Sequence, residues 1–232
     1  MKLQHKISVK AALSVVLTAM LTLWSCRNSD YDDEPGRQLL EQIVTFTGNS
    51  SDRVNFEYRA NGDSPLISLW AKGNLDEKQA KPGSRLLLRY RLNAGVDPSQ
   101  GGEIGFVGLR KIMTDTVATL PSPQADGELY LHSMQRSGEY LDIMARMPMT
   151  NRRKITIEAD EAIGADGMAE LYISATAGSQ QLIDSAYEAT SWASLWIGPV
   201  WQRQDVKGVR VHLNNSNNHY RSTFTFDKQQ NK

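Results

Sequence analysis

The spacing of apolar residues after residue 38 constrains the fold more than any other feature of this sequence. No long segment repeats apolar residues with the roughly 3.6-residue period of an amphipathic helix. Instead, short runs alternate apolar and polar residues, as at Val54, Phe56 and Tyr58, and are separated by Gly, Pro, Asn and Asp. Such alternation places one face of each strand against a core and the other against solvent. The sequence therefore predicts an all-β protein.

Five of these runs lie in residues 39–114. The last of them contains Gly105 and Gly108, and glycine inside a strand is typical of the bends and bulges that a tightly curved barrel needs. Five strands in about 75 residues match the small, partly open barrel of the OB fold. We therefore predict an OB-like barrel domain over residues 39–114.

The second half of the chain predicts a separate β domain. Residues 115–127 contain Pro121 and Pro123 and little apolar patterning, which predicts a linker, although a strand could begin at Val117. About seven further short runs follow, with turns at a spacing of roughly 8–12 residues. This spacing predicts a seven-stranded, Ig-like β-sandwich over residues 128–228.

The first 25 residues predict export from the cytoplasm. Lys2, Lys6 and Lys10 precede a continuous apolar run, Ala11–Trp24. The run is shorter than the roughly 20 residues that a membrane-spanning helix needs, and it fits the apolar core of a secretory signal. We therefore predict a signal peptide over residues 1–25.

The signal ends in Leu23-Trp24-Ser25-Cys26, which resembles a bacterial lipobox. The resemblance implies cleavage before Cys26 and lipidation of its thiol. Cys26 is the only cysteine of the chain, and an unpaired thiol elsewhere in an exported protein would be a reactive liability. Several acyl chains on one cysteine attach a protein stably to a membrane, so the membrane is the predicted partner of this residue.

Residues 26–38 carry an acidic cluster and no apolar periodicity, which predicts a flexible acidic tether. The cluster resembles the signal that brings lipoproteins of Bacteroidetes to the outer face of the outer membrane. We therefore expect a protein that is lipid-anchored in the outer membrane and faces the cell exterior.

Three segments of predicted strand together resemble a known family. They are Pro82–Tyr90 in the barrel, Gly138–Ile143 in the second domain, and the terminal run Phe224-Thr225-Phe226. With the lipobox and the acidic tether, their order resembles the NigD-like lipoproteins of Bacteroidetes over nearly the whole chain. The resemblance implies an N-terminal OB domain, a C-terminal β-sandwich domain and an immunity-like role. It implies no functional residues.

Charge and cysteine content exclude several classes of protein. The chain has 26 basic and 26 acidic residues, and removal of the signal peptide leaves 23 basic and 26 acidic residues. We expect no nucleic-acid partner, because such proteins usually carry a basic patch or stripe. One cysteine excludes Cys-rich zinc and iron–sulfur sites, and His132, His212 and His219 show no metal-ligand spacing. We therefore expect neither a metal nor a cofactor.

The common catalytic motifs are absent from the sequence, which predicts that the protein is not an enzyme. A hydrolase remains open, because two carboxylates that meet only after folding leave no trace in a sequence. The Asp166-Gly167 pair favours a hairpin turn over a calcium loop, since the preceding ligand positions hold Ala162 and Gly164.

Trp192 and Trp196 lie on one face of a predicted strand whose other face is also apolar, although residues 186–196 could also form a short helix. One interpretation is that the strand is buried on both faces, within the sandwich core or between the domains. The other is that the two rings form, with Trp201 nearby, an exposed platform for sugar rings. We favour burial, because large aromatic side chains are usually mostly buried.

Two short motifs resemble the O-glycosylation acceptor of Bacteroidetes, an aspartate followed by Ser or Thr and a small apolar residue. They make Thr116 and Ser185 candidate modified residues, both in stretches predicted to be loops.

These features predict a lipid-anchored cell-envelope protein with a non-enzymatic binding or interaction role, NigD-like and with no ligand specified. The alternative is a surface glycan-binding lipoprotein that uses the platform of Trp192, Trp196 and Trp201. The partner is then a glycan, and otherwise a protein at the cell surface.

Overall fold

The computed structural model describes residues 38–93, 97–148, 153–176 and 188–228. These residues form fourteen strands and one four-residue helix, so the predicted all-β class is confirmed. Among them, no helix is long and apolar enough to cross a membrane. The predicted signal peptide, Cys26 and the acidic tether up to residue 37 lie outside the described residues.

The first five strands close into a barrel in the order β1-β2-β3-β5-β4, which confirms the predicted five-stranded barrel. Side chains of alternating residues fill its interior, and the rings of Phe46 and Phe56 lie 5.9 Å apart there. A register shift opposite Arg89 and Tyr90 bends β5 beside Gly108. The strands of the barrel are β1 (Leu39–Ser50), β2 (Arg53–Tyr58), β3 (Ile67–Lys72), β4 (Arg85–Leu92) and β5 (Gly102–Lys111).

The remaining nine strands form a second sheet in the order β6-β12-β9-β8-β13-β11-β10-β7, with β14 paired to β13. The predicted seven-stranded, Ig-like sandwich is not confirmed, because this sheet has nine strands. The strands are β6 (Met113–Thr116), β7 (Ala118–Leu120), β8 (Glu128–Ser137), β9 (Tyr140–Pro148), β10 (Lys154–Ile163), β11 (Met168–Thr176), β12 (Glu188–Trp196), β13 (Gly208–Asn215) and β14 (Thr223–Asp227).

The two additional strands lie in residues 113–120, predicted from the sequence to be the end of the barrel domain (residues 113–114) and the start of the linker (residues 115–120). β6 pairs in parallel with β12, and β7 pairs in parallel with β10. Between them, the amide of Val117 donates to the carbonyl of Trp196 at 3.0 Å, and the carboxylate of Asp115 accepts from the amide of Ile157 at 3.1 Å. Residues 113–120 therefore belong to the second sheet, and they connect β12 at one end of it with β10 near the other.

A strand, not a helix, occupies the described part of residues 186–196. The helix α1 (Gly198–Trp201) begins only after β12 ends, with Pro199 in its first turn. The residues of β12 that face the second core are Ala193 and Leu195, and both are fully buried.

An arginine of the second sheet binds a loop of the barrel through an ion pair. Arg136 is 6% exposed and donates to both carboxylate oxygens of Asp63, at 2.8 and 2.5 Å. The adjoining backbones are also paired, since the amide of Gly62 donates to the carbonyl of Arg136 at 2.6 Å and the amide of Gly138 to that of Gly62 at 2.7 Å. These bonds fix the loop between β2 and β3 against the β8–β9 hairpin.

Candidate ligand-binding cleft

One face of β12 is turned towards the barrel. Trp192, Ser194 and Trp196 alternate on this face, and the opposite face packs into the core of the second sheet. The middle of the face is sealed, since Ser194 is 1% exposed, whereas its two ends are more open. Trp192 is half-buried and Trp196 is 36% exposed. The strand is thus apolar on both faces because a second layer, the barrel, covers one of them.

A buried ion pair joins the barrel to the second sheet at the middle of this face. The Nη2 atom of Arg85, on β4, donates to both carboxylate oxygens of Asp142, on β9, at 2.8 and 2.7 Å. Its Nε donates to the hydroxyl of Ser194 at 2.9 Å, and that hydroxyl donates to Asp142 at 2.6 Å. Arg85 and Asp142 are 7% and 4% exposed, so each charge is compensated where water has little access.

Beside this ion pair lies a cleft of about 430 Å³, which is within the usual range for small-ligand sites. The barrel forms one wall with the loop that precedes β4, and β6, β9 and β12 form the other. The cleft combines the exposed indole of Trp196 and the ring of Tyr140 with four residues that carry aliphatic hydroxyls and with the guanidinium of Arg85. Its lining residues, which define the Trp196 cleft, are Gly83, Ser84, Arg85, Thr114, Asp115, Thr116, Tyr140, Ser194 and Trp196.

The indole of Trp196 is held in place by contacts at its edge. Its Nε1 donates to one carboxylate oxygen of Glu139 at 3.3 Å, and the other oxygen accepts from the side-chain amide of Gln202 at 2.7 Å. The ring also packs directly on Gly198, where an added Cβ would lie 2.5 Å from Nε1. A fixed aromatic ring loses little conformational entropy when a ligand stacks on it, which favours binding.

The polar groups of the cleft are also oriented. β6 is fixed beside the cleft by Asp115, whose carboxylate accepts from the amide of Ile157 and lies 3.7 Å from the ammonium of Lys154. The pairing of β6 with β12 places Thr114 and Thr116 on the same side as Trp196. The guanidinium of Arg85 lies 4.6 Å from the ring centre of Tyr140. The cleft therefore offers donors and acceptors at fixed positions around the indole, an arrangement suited to a ligand with an apolar face and several hydroxyl groups.

The third tryptophan of the predicted platform lies elsewhere. Trp201 is 8% exposed and belongs to the core of the second sheet. The guanidinium of Arg136 lies 4.2 Å from its ring centre, and the ammonium of Lys228 lies 5.7 Å away. The structure thus brings Trp192 and Trp196 to one strand face but does not bring Trp201 to it.

The two candidate O-glycosylation residues differ in what the structure says of them. Thr116 is exposed, lines the Trp196 cleft and lies in β6, not in the predicted loop. Ser185 lies outside the described residues.

Histidine and carboxylate side chains meet on the outer face of β11 and β13, but among the described residues no group of three or more has the geometry of a metal site. The Nε2 of His212 lies 2.6 Å from a carboxylate oxygen of Glu170, and its Nδ1 lies 3.4 Å from the hydroxyl of Thr223. Arg210 donates to the same carboxylate and to Asp166, and it holds the pKa of Asp166 below its usual value. The positive charge of Arg210 offsets the negative charge of Glu170, so we infer that these contacts hold β11 and β13 together.

The Asp166-Gly167 pair forms the predicted hairpin turn. The amide of Gly167 donates to the carbonyl of Gly164 at 2.8 Å, and Gly167 has the left-handed φ of 85° that favours glycine. The carboxylate of Asp166 accepts from the amide of Met168 at 3.0 Å, so it closes the turn that joins β10 to β11.

Comparison with known proteins gives a likeness of fold. No protein-family model matches the chain, and no curated protein does so either. A protein of unknown function from Bacteroides vulgatus is 14% identical with a TM-score of 0.62, and covers 84% of this chain and 92% of its own. A NigD-like immunity protein from Bacteroides caccae is 9% identical with a TM-score of 0.52, over 84% and 94% of the two chains.

A third similar structure is a candidate lipoprotein from Bacteroides fragilis. It is 13% identical with a TM-score of 0.52, and covers 82% of this chain and 96% of its own. Identities this low show a shared fold and no more. The resemblance to NigD-like proteins is therefore confirmed as a likeness of fold.

Proposed function

We propose that this protein is a lipid-anchored protein of the cell envelope with a non-enzymatic binding role. The lipid is carried by Cys26, and the acidic tether of residues 26–38 holds an OB-like barrel and a β-sandwich-like domain outside the outer membrane. Support comes from the lipobox-like sequence and from the likeness of fold to a candidate lipoprotein. Protease treatment of intact cells tests the location, and a chain that survives it does not face the exterior.

The binding surface in this proposal is the Trp196 cleft. One observation carries it: an indole that is 36% exposed is fixed by Glu139 and Gly198 at the wall of a cleft of about 430 Å³. An exposed tryptophan gives up apolar contact with the core. Here the contacts with Glu139 and Gly198 keep the ring at the surface. Fixed exposed aromatic rings are typical of binding sites.

The ligand class that fits this cleft best is a glycan. A sugar ring has an apolar face that can stack on an indole and a rim of hydroxyl groups that both donate and accept hydrogen bonds. The Trp196 cleft supplies such partners in the hydroxyls of Ser84, Thr114 and Thr116. The charge of Arg85 is already compensated by Asp142, so no anionic group is needed on the ligand.

A protein partner is the second candidate. The likeness of fold to a NigD-like immunity protein favours it, and an immunity-like role would place a protein surface over the same cleft. An aromatic side chain that is fixed and partly exposed is also typical of the residues that dominate protein interfaces.

Binding to a glycan array tests the proposal. Residues 27–232, which include every described residue, are compared with Trp196→Ala and with Tyr220→Ala. Tyr220 is 46% exposed and lies outside the cleft, so it is a matched control for the loss of an exposed aromatic ring. We expect binding by the parent chain and the control, and loss of binding in Trp196→Ala.

Two other results decide between the candidates. Array binding that is equal in all three chains would refute the cleft as the glycan site. If no glycan binds, a protein partner is the remaining candidate. A photoreactive group placed at Thr116 would then crosslink to a protein that contacts the cleft. Failure of that crosslink as well would refute the cleft as a binding surface.

A further inference from the structure

A second, smaller crevice lies at the other end of the barrel-facing side of β12. It has a volume of about 110 Å³ and forms where β5 passes into β6, beside the start of β10. Its polar and aromatic lining residues, which define the Trp192 crevice, are Arg110, Lys111, Arg153, Thr190, Ser191 and Trp192.

Three basic residues line this crevice, and no residue with a carboxylate lines it with them. Within the described residues, neither Arg110 nor Arg153 forms an ion pair, and Lys111 donates to the backbone carbonyl of Lys78 at 3.1 Å. Like charges that share a small space raise the free energy of the folded state unless an anion offsets them.

One guanidinium nitrogen of Arg153 lacks a hydrogen-bond partner among the described residues. This atom, Nη1, is also buried. A buried polar atom without a partner is costly, and in folded proteins such an atom often contacts a bound ion or a water molecule.

Other arginines at the barrel and on the second sheet are treated differently. Arg85 is paired with Asp142, Arg136 with Asp63 and Arg210 with Asp166. In each of these pairs the chain supplies the carboxylate itself. The Trp192 crevice collects two arginines and a lysine and supplies no carboxylate among the described residues, so an anion from outside them finds uncompensated positive charge there.

We propose that the Trp192 crevice binds a tetrahedral oxyanion, phosphate or sulfate, as a free ion or as an ester. A guanidinium group matches the geometry of such an anion with two parallel donors, and two arginines line the crevice. The volume of about 110 Å³ equals roughly three or four water molecules, which is enough for one such group. The indole of Trp192 forms an apolar wall beside it.

This site is separate from the proposed glycan site. The arginine of the Trp196 cleft is already compensated by Asp142, and this buried Arg85–Asp142 pair lies at Ser194, between Trp192 and Trp196 on the strand. An oxyanion is therefore favoured at one end of β12 and not at the other.

Thermal unfolding tests the proposal, because a ligand that binds only the folded state raises the unfolding midpoint in a saturable way. Residues 27–232 are unfolded in increasing inorganic phosphate, inorganic sulfate or chloride at one fixed ionic strength. We expect phosphate or sulfate, but not chloride, to raise the midpoint to a plateau. A rise that is equal for all three salts, or no rise at all, would overturn the proposal.

Substitutions test whether the anion binds at the Trp192 crevice. Arg110→Gln and Arg153→Gln each remove one charge, and Arg221→Gln removes one from an exposed arginine elsewhere. We expect the first two to weaken the anion affinity at least about tenfold and the third to leave it unchanged. Arg110 is exposed, so its variant keeps the test valid if Arg153→Gln fails to fold. Equal affinity in all variants would overturn the assignment to this crevice.

A separate arm identifies the source of the anion. Glucose 6-phosphate is compared with inorganic phosphate in the parent chain and in Trp192→Ala. Tighter binding of the ester, lost in Trp192→Ala, assigns an esterified group whose ring contacts the indole. Equal binding assigns the free ion. Binding of neither compound overturns the proposal.

Discussion

The two ends of the barrel-facing side of β12 carry the same residue type in different surroundings. Trp196 borders a cleft of about 430 Å³ with several hydroxyls and a compensated arginine, and Trp192 borders a crevice of about 110 Å³ with three basic residues. The tryptophans are only four positions apart on one strand face. The difference arises from the neighbouring elements, since β6 and the loop before β4 line one end, whereas the end of β5 and the residue before β10 line the other. A tryptophan alone therefore does not define a site.

The largest effect is expected from the ion pair that separates the two ends. Asp142→Asn leaves Arg85 buried without a compensating carboxylate, which should lower the free energy of unfolding by about 3–5 kcal/mol. Denaturant unfolding measures it. Asp205→Asn is the control, because Asp205 also pairs with an arginine, Arg203, but at the surface, and it should change stability little.

The double variant Arg85→Met with Asp142→Leu sharpens this prediction. It removes both charges and keeps apolar volume, so it should recover much of the stability lost in Asp142→Asn. If Asp142→Asn is as stable as the parent chain, the pair does not hold the barrel against the second sheet as described.

A smaller effect, confined to one end of β12, is expected from Gly198→Ala. The added Cβ would lie 2.5 Å from the indole Nε1 of Trp196, so the ring must move from its contact with Glu139. We expect glycan affinity to fall several-fold with no change in the phosphate response. Gly108→Ala is the matched control, because nothing lies within 4 Å of its Cβ position. A glycan affinity that is unchanged in Gly198→Ala would show that the ring position is not important.

The smallest effect is expected at the ion pair of Arg136 and Asp63, which lines neither the Trp196 cleft nor the Trp192 crevice. The hydrogen bond from Arg136 lowers the pKa of Asp63, although partial burial raises it. The stabilisation is therefore present above the usual carboxyl pKa and is lost as the pH falls through the lowered folded value. Asp63→Asn should lower the free energy of unfolding by only about 1 kcal/mol at pH 7, because Asp63 is half exposed. The difference in free energy from the parent chain should shrink below about pH 4.

Denaturant unfolding at several pH values checks the Asp63 prediction. Asp76→Asn, at an exposed turn of the barrel, is a suitable control for the loss of one carboxylate. If the free energies of unfolding of Asp63→Asn and the parent differ by the same amount at all pH values, the ion pair with Arg136 does not lower the pKa of Asp63 as described.

Much of the barrel could be predicted from the sequence, and less of the second sheet. Val54, Phe56 and Tyr58 are buried in alternation, as their spacing indicated. The strand Met113–Thr116 could not be recognised, because four mainly polar residues show no periodicity, and Ala118–Leu120 was only an open alternative, a strand beginning at Val117. Their positions depend on parallel pairing with strands that are distant in the sequence.

The candidate site was only partly predictable. Trp192 and Trp196 attracted attention because both faces of their strand are apolar, but the sequence could not separate them, since their difference lies in neighbouring elements. Asp142 alternates with buried Leu141 and Ile143, so the pattern indicates a solvent-facing residue. It is buried only because Arg85 and the barrel cover that face, and a pattern within one strand holds no information about a second layer.

The central claim is that the two ends of β12 are separate sites for different ligands, and reciprocal binding tests it most directly. The affinities of the parent chain, Trp196→Ala and Arg153→Gln are measured for a glycan selected on the array and for inorganic phosphate. The account predicts that Trp196→Ala loses the glycan and keeps phosphate, and that Arg153→Gln does the reverse. Loss of both ligands in either variant, or of neither, would contradict it.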